Sequence, residues 1–305
     1  MSKIKFFSFF SYVALLMTMS CSSGNENISQ PDEPDSPINK PKPILLTCNI
    51  QSNTRVTDTG YESGDKIGLY VVNYAKGQAG ELQNSGNHVD NMAFTYSGTW
   101  NPQTPIYWLD NITPADFYAY HPYADIQDVT AHSFQVNADQ STADRYKASD
   151  FLYGKALKVS PTSTAVSIQT RHLLSSMVIK VTPGNGFTAE SLAKANVSVK
   201  LNGHLHTALI NLKEGTLTAK GEAGSTIPYK EGDTYKALVI PQTVTADNFI
   251  TVTVDNREFK LNKSFTFIGG KRHVFTVTIK KTSNGINVGV TPWEDDGVDH
   301  GGTAE

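Results

Sequence analysis

From Ile44 onward, apolar residues recur at every second position far more often than at every third or fourth, and β-branched and aromatic side chains fill the runs. Successive side chains of a strand point to opposite faces, so this pattern predicts strands with one face packed and the other solvated. The clear runs are residues 67–73, 116–119, 165–170, 176–181, 196–201, 208–212, 235–240, 249–254, 258–261 and 273–280. Between them stand turn-forming pieces such as Thr182-Pro183-Gly184-Asn185-Gly186, Asn202-Gly203, Lys213-Glu214-Gly215 and Ile268-Gly269-Gly270. That short, regular spacing predicts an all-β chain of antiparallel sandwich type. Helix is scarce, and residues 189–195 are the one predicted short helix.

In 274–279 the alternation puts Phe275, Val277 and Ile279 on a core face and Val274, Thr276 and Thr278 on the other. Ile250, Val252 and Val254 alternate with Thr251 and Thr253 in the same way. These two strands are predicted to share a sheet, joined through Asp255-Asn256 and the run after it. Ser, Thr and Pro interrupt the pattern at 158–164, which predicts a boundary between an aromatic-rich first sandwich domain, 44–160, and a second, 161–297, with a tail at 298–305. No repeat of 20 to 50 residues is visible, which disfavours solenoids and propellers.

The residues ahead of Ile44 are of another kind. Lys3 and Lys5 precede an apolar run over 6–19 that stops at Ser20-Cys21, the pattern of a secretory signal peptide over 1–20. The run falls short of the roughly 20 residues that span a bilayer, so a permanent transmembrane helix is the weaker reading. A Cys directly after a small residue resembles a bacterial lipobox, with Cys21 acylated and left as the new N-terminus. Thr18 and Met19 depart from that pattern, which keeps plain secretion open. Residues 21–43 are rich in Ser, Asn, Asp, Glu and Pro and read as a flexible tether.

Removing Lys3 and Lys5 moves the balance of 26 basic against 29 acidic residues to 24 against 29, a net charge of −5. With no basic run, nucleic acid is excluded as an expected partner. Beyond Cys21 only Cys48 remains, so neither an intramolecular disulfide nor a cysteine-based metal framework is available. Stability therefore rests on the core, for which about 260 residues suffice.

Several motifs in order resemble the fimbrillin-like proteins of the Bacteroidetes. They are Ser52-Asn53-Thr54-Arg55-Val56, Gly64-Asp65-Lys66-Ile67-Gly68-Leu69-Tyr70, Pro105-Ile106-Tyr107-Trp108, Phe117-Tyr118-Ala119-Tyr120-His121-Pro122-Tyr123 and Asp150-Phe151-Leu152-Tyr153. Arg171-His172-Leu173-Leu174-Ser175, Val239-Ile240-Pro241-Gln242, Phe267-Ile268-Gly269-Gly270-Lys271 and Val290-Thr291-Pro292-Trp293 complete the series. Each is weak alone; the ordered series is specific and covers nearly the whole chain after the tether.

The resemblance implies two tandem transthyretin-like sandwich domains and export as a lipoprotein held at the outer membrane, exposed at the cell surface. It further implies trimming after Arg55 and assembly with other fimbrial subunits by strand donation, in support of adhesion. Arg55 could equally be an ordinary exposed turn residue. In family stalk subunits the donated strand lies beyond the second domain, whereas only residues 294–305, rich in Asp and Gly, follow Trp293 here. Either the run 286–290 donates, or the chain is a tip or accessory subunit that accepts a strand and gives none.

Other constellations carry less. His204 and His206 would share one face of a strand and could hold Zn²⁺, but no third ligand is evident, and a partly exposed pair beside a hairpin turn is preferred. His172 reads as a structural residue satisfied by backbone rather than as a catalytic base. Asp295-Asp296 lie in a Gly-rich end with no scaffold to set a dyad's spacing. Neither nucleophile-elbow, zincin nor phosphate-loop motifs occur, so neither enzyme activity nor a cofactor is expected. Trp100, Tyr107 and Trp108 support the rival class, a surface lipoprotein that binds glycan or host protein as a monomer. If that stretch is a strand, Tyr107 and Trp108 point to opposite sides and at least one is core.

Overall fold

The computed structural model describes residues 41–51 and 60–280, and the backbone of 288–294. A seven-stranded sheet runs, edge to edge, β1 (Leu46–Ile50), β8 (Val166–His172), β7 (Leu152–Val159), β5 (Ala115–His121), β2 (Lys66–Asn73), β3 (Val89–Tyr96) and β4 (Trp100–Pro102). A second sheet orders β11 (Thr216–Thr226), β10 (Val197–Asn211), β14 (Thr243–Val254) and β15 (Arg257–Thr266), with β6 (His132–Gln135) added to β10. A third orders β12 (Tyr229–Glu231), β13 (Thr234–Val239), β9 (Ser175–Pro183), β16 (Arg272–Ile279) and β17 (Val288–Glu294). Among the described residues, helix is confined to α1 (Ala143–Lys147) and α2 (Ala189–Lys194), the latter opened by a reciprocal cap between Thr188 and Ser191.

Three apolar cores follow from period-two alternation. Phe275, Val277 and Ile279 of β16 face Ile250, Val252 and Val254 of β14 across a sandwich of the second and third sheets. The alternation had predicted these strands to be sheet neighbours; instead they lie in facing sheets. A buried face identifies a strand's inner side but not its ladder partner, and Asp255-Asn256, both at positive φ, make a tight hairpin from β14 to β15. The second core lines one face of the seven-stranded sheet, with Ile67, Leu69, Val71, Phe117 and Ala119 inward. The alternate residues Tyr70, Val72, Tyr118 and Tyr120 enter the third core, on the other face, with Phe134 of β6 and Ala208 and Ile210 of β10. β10 therefore serves two cores along its 15 residues.

Asn202-Gly203, read from sequence as a turn, is a bulge inside β10 instead, so the predicted runs 196–201 and 208–212 form one strand. Gly203 takes φ +78, and a Cβ there would stand 2.5 Å from the Ala246 Cβ. β8, just past residue 160, pairs with β1 and β7 in the first sheet.

Candidate functional site

β1 enters the seven-stranded sheet from the N-terminal side and runs parallel to β8, from Leu46 opposite Val166 to Ile50 opposite Thr170. Alternation places Ile44, Leu46 and Cys48 inward, all nearly inaccessible, while Leu45, Thr47 and Asn49 face out. The sheet curls until its far edge meets this strand. Trp100 of β4 donates its Nε1–H to the Cys48 carbonyl at 3.4 Å, Ile44 N–H to Ile106 O at 2.9 Å and Trp108 N–H to Lys42 O at 2.9 Å. The first strand is thus wedged between β8 and the 106–108 segment, closing a core that otherwise opens along that seam.

Pro43 sits opposite Tyr107 in an antiparallel bridge flanked by the two backbone bonds just named, so its missing N–H leaves nothing unsatisfied. Beyond the strand, Gln51 N–H donates to Thr170 O at 2.7 Å, and the Thr170 hydroxyl donates to Asn49 O at 3.1 Å. Tyr61 packs edge-on against Trp100, with centroids 4.8 Å apart, and shares a 2.8 Å hydrogen bond with Thr170 Oγ1. Burial pushes the Cys48 thiol up to about 12, offset in part by the neighbouring Tyr61 hydroxyl, and burial also raises the Tyr61 phenol. Cys48 therefore acts as a small apolar plug and not as a nucleophile.

The sequence-derived site residues fall as follows. Cys21 and Arg55 lie outside the described residues, as do Asp295 and Asp296. Trp108 is 2 % exposed against Phe117, and Trp100 is buried between Tyr61 and Tyr96. Tyr107 faces out, as the opposite-sides argument requires, and is the single exposed ring of the three.

His204 and His206 do come together, with ring centroids 4.5 Å apart and both Nε2 atoms 2.9 Å from Thr226 Oγ1. The hydroxyl has one proton, so at least one of the two rings donates its Nε2–H to that oxygen. The pair lies in the β10 bulge rather than beside a hairpin turn, and His204 is buried, a correction that follows from β10 continuing through Gly203. Its basicity is pushed down to about 3, first by burial and then by His206. Among the described residues no three His, Cys, Asp or Glu side chains converge as a metal cage. His172 Nδ1 meets the Asp150 carboxylate at 2.6 Å, a side-chain partner where the sequence suggested backbone; pairing of Leu152 with His172 draws the two together.

The packed sheets make this an all-β protein of sandwich type. The sequence profile of the fimbrillin-like family matches residues 54–293, and the chain belongs to that family. A candidate fimbrium subunit of Bacteroides uniformis, Fim1C, is 25% identical over 293 residues, 92% of either chain. A candidate fimbrium tip subunit of Bacteroides ovatus is 25% identical over 84% of this chain, which spans only 49% of that protein. The fold matches two crystal structures of candidate cell adhesion proteins. One, from Bacteroides uniformis, has TM-score 0.62 at 22% identity, covering 83% of this chain and 98% of the other. The second, from Bacteroides ovatus, has TM-score 0.68 at 19% identity, covering 84% and 97%.

Proposed function

We propose that the protein is a structural subunit of a cell-surface fimbria, exported as a lipoprotein through Cys21 and trimmed after Arg55. In this reading another subunit's extended segment then takes the place of β1. The observation that carries it is the construction of β1: a short edge strand, ahead of Arg55, whose alternate apolar side chains seal a core otherwise complete. An edge left unpaired beside an apolar groove is a template for an incoming strand. Ile44 and Leu46 are each worth on the order of 1.5–3 kcal/mol when buried, a drive that a replacement strand recovers. The family match, beginning at Thr54 and so after β1, is consistent with a first strand separable from the shared body.

Two tandem transthyretin-like domains remain part of the proposal. Its support is that one core draws only on residues between 44 and 168 and another only on residues between 177 and 279. The pairing of β8 favours drawing the division after it, near residue 172, rather than at 160. Named fimbrium subunits among the relatives favour a place at the cell surface, and the Bacteroides ovatus relative brings the tip role into the proposal. β17 pairs with β16 along Val288–Glu294, which favours an accepting rather than a donating subunit.

N-terminal sequencing of the chain in surface-sheared fimbriae tests the scheme. Val56 as first residue, in a ladder that survives denaturing gels until prolonged boiling, is the expected result. An intact acylated Cys21 in assembled fimbriae refutes trimming-dependent assembly.

A further inference from the structure

The stretch between β5 and β7 belongs by connection to the seven-stranded sheet, yet its hydrogen bonds reach beyond that sheet. β6 adds to β10 of the second sheet, from His132 opposite Ile210 to Gln135 opposite Thr207. On either side of that ladder, the Leu212 N–H donates to Val129 O at 2.7 Å and the Val136 N–H to His206 O at 2.8 Å. The chain then meets the short link between β11 and β12. There the Ile227 N–H donates to Ala138 O and the Gln140 N–H to Ile227 O, both at 2.9 Å. Residues 129–149 thus lie as a strap along the sandwich of the second and third sheets.

Gln140, fully buried, fastens the strap to β13 of the third sheet. The ladder between β12 and β13 ends at Tyr229 opposite Lys236, so the backbone groups of Leu238, next along the same edge, have no strand to meet. Gln140 meets them instead. The Leu238 N–H donates to Gln140 Oε1 at 2.8 Å, and Gln140 Nε2 donates to Leu238 O at 2.9 Å. The second Nε2 proton goes to Asn137 O at 3.1 Å, within the strap itself. One side-chain amide therefore stands in for a strand residue. Losing it leaves two buried backbone groups of Leu238 unpaired, a penalty that apolar contact cannot make good.

The third core lies against the strap, with Phe134 of β6 packed edge-on to Phe151 and, beside them, Tyr120, Ile210 and Ile240. Nearby, Arg171 donates to Gly215 O at 2.8 Å, and a Cβ on Gly215 would stand 2.1 Å from the Tyr153 ring, so the β10–β11 hairpin sits directly on β7. That core contains no residue ahead of Tyr70, so the joint does not draw on β1. Compact bodies joined through one chain move relative to each other by default, and a large apolar interface removes that freedom. We propose that the strap, latched by Gln140 on β13, locks the seven-stranded sheet to the second sandwich as one rigid body with no hinge between them. The device goes beyond strand exchange and does not depend on it. In the fimbrial reading, bending then falls between subunits and not within one.

Two measurements on the full chain test it. Leu157→Cys on β7 and Lys260→Cys on β15, both exposed, carry spin labels in a chain with Cys21→Ser, Cys48 being buried. The distance between the labels is expected to form a single narrow distribution, and a broad or two-state distribution overturns the rigid joint. In the second measurement, Gln140→Met keeps the side chain's length and removes its three bonds. Native-state hydrogen exchange of the amides at 140 and 227 is expected to quicken roughly ten- to a hundred-fold, while amides of β2 and β16 keep their rates. Unchanged rates at 140 and 227 overturn the latch, as does an equal rise everywhere, because the strap then has no opening of its own. If that variant does not fold, Gln140→Glu decides. A buried carboxyl holds its proton towards neutral pH and so regains one donor as pH falls. Relative to the parent chain, protection at 227 is then expected to be several-fold higher at pH 6 than at pH 8, and equal ratios overturn the latch.

Discussion

Leu46→Ala probes whether β1 opens as a unit of its own. Leu46 is 6 % exposed in the core of the curled sheet, and its neighbours Ile44 and Cys48 are sealed alongside it. Leu-to-Ala substitutions at such sites cost about 2–5 kcal/mol, the spread reflecting how far the surroundings collapse. The seam has backbone on both sides and Trp100 across it, so it cannot close far, and the upper half of that range is expected. If β1 detaches while the rest stays folded, the whole cost falls on that local opening, raising its population by a factor of roughly 4 × 10² to 5 × 10³.

Native-state hydrogen exchange reads this directly, because the Val166 amide donates to Leu45 O and lies in the β1–β8 ladder. Its protection is expected to drop by that factor, while amides of β9 and β16, in the other sandwich, change far less under conditions where they exchange by local opening. Thr47→Ala, on the outward face, should move neither set by more than about 0.5 kcal/mol. A uniform loss of protection across β8, β9 and β16 would refute the reasoning, since β1 would then leave only with global unfolding. So would a cost of Leu46→Ala below about 1 kcal/mol.

Gly203→Ala should destabilise by about 2–4 kcal/mol, combining the strain of a side chain at φ +78 with the clash against Ala246; urea unfolding of the two proteins measures it, and a cost under about 1 kcal/mol would discount the bulge. The His204 ring is held at about 3, below its ordinary value near 6.5, so its contribution is present at neutral pH and is lost as pH falls through the window from about 6.5 to 3. The unfolded chain gains a proton there that the folded one does not. Stability is expected to fall by about 2 kcal/mol from this source between pH 7 and pH 5, and His204→Gln should remove that slope; equal slopes in both proteins would contradict the burial of the ring.

Much of the architecture was legible because burial leaves an alternating trace. β16 shows it without interruption and β14 shows it from Ile250 to Val254, and α2 shows a Thr-x-x-Ser opening ahead of a short run of helix formers. β11 was missed for the converse reason. Thr216–Thr226 is largely exposed, contains Gly221 and Gly224, and is held in place by β10 rather than by its own pattern. β6 and α1 are four and five residues long, too short for periodicity to register. Asn202-Gly203 misled because positive φ serves a bulge as well as a turn, and only the pairing on either side distinguishes them. The Tyr107 and Trp108 pair was half legible: opposite orientation followed from period two, but which ring went inward depended on Pro43 arriving opposite Tyr107.

The sequence by itself determined that the chain from Ile44 onward is predominantly β, which residues of each clear strand face a core, and, through motifs kept in order, the family. These are local properties: alternation, turn chemistry and short runs of side chains do not depend on what a strand pairs with. Tertiary structure decided which strands became neighbours, that β14 and β16 face each other across a core, and that the seven-stranded sheet curls until β1 meets the 106–108 segment. Ladder partners are joined by backbone groups that nearly every residue carries alike, so pairing leaves little mark on residue type, and a seam between residues 62 to 66 apart in sequence is specified only when all the strands between them have packed.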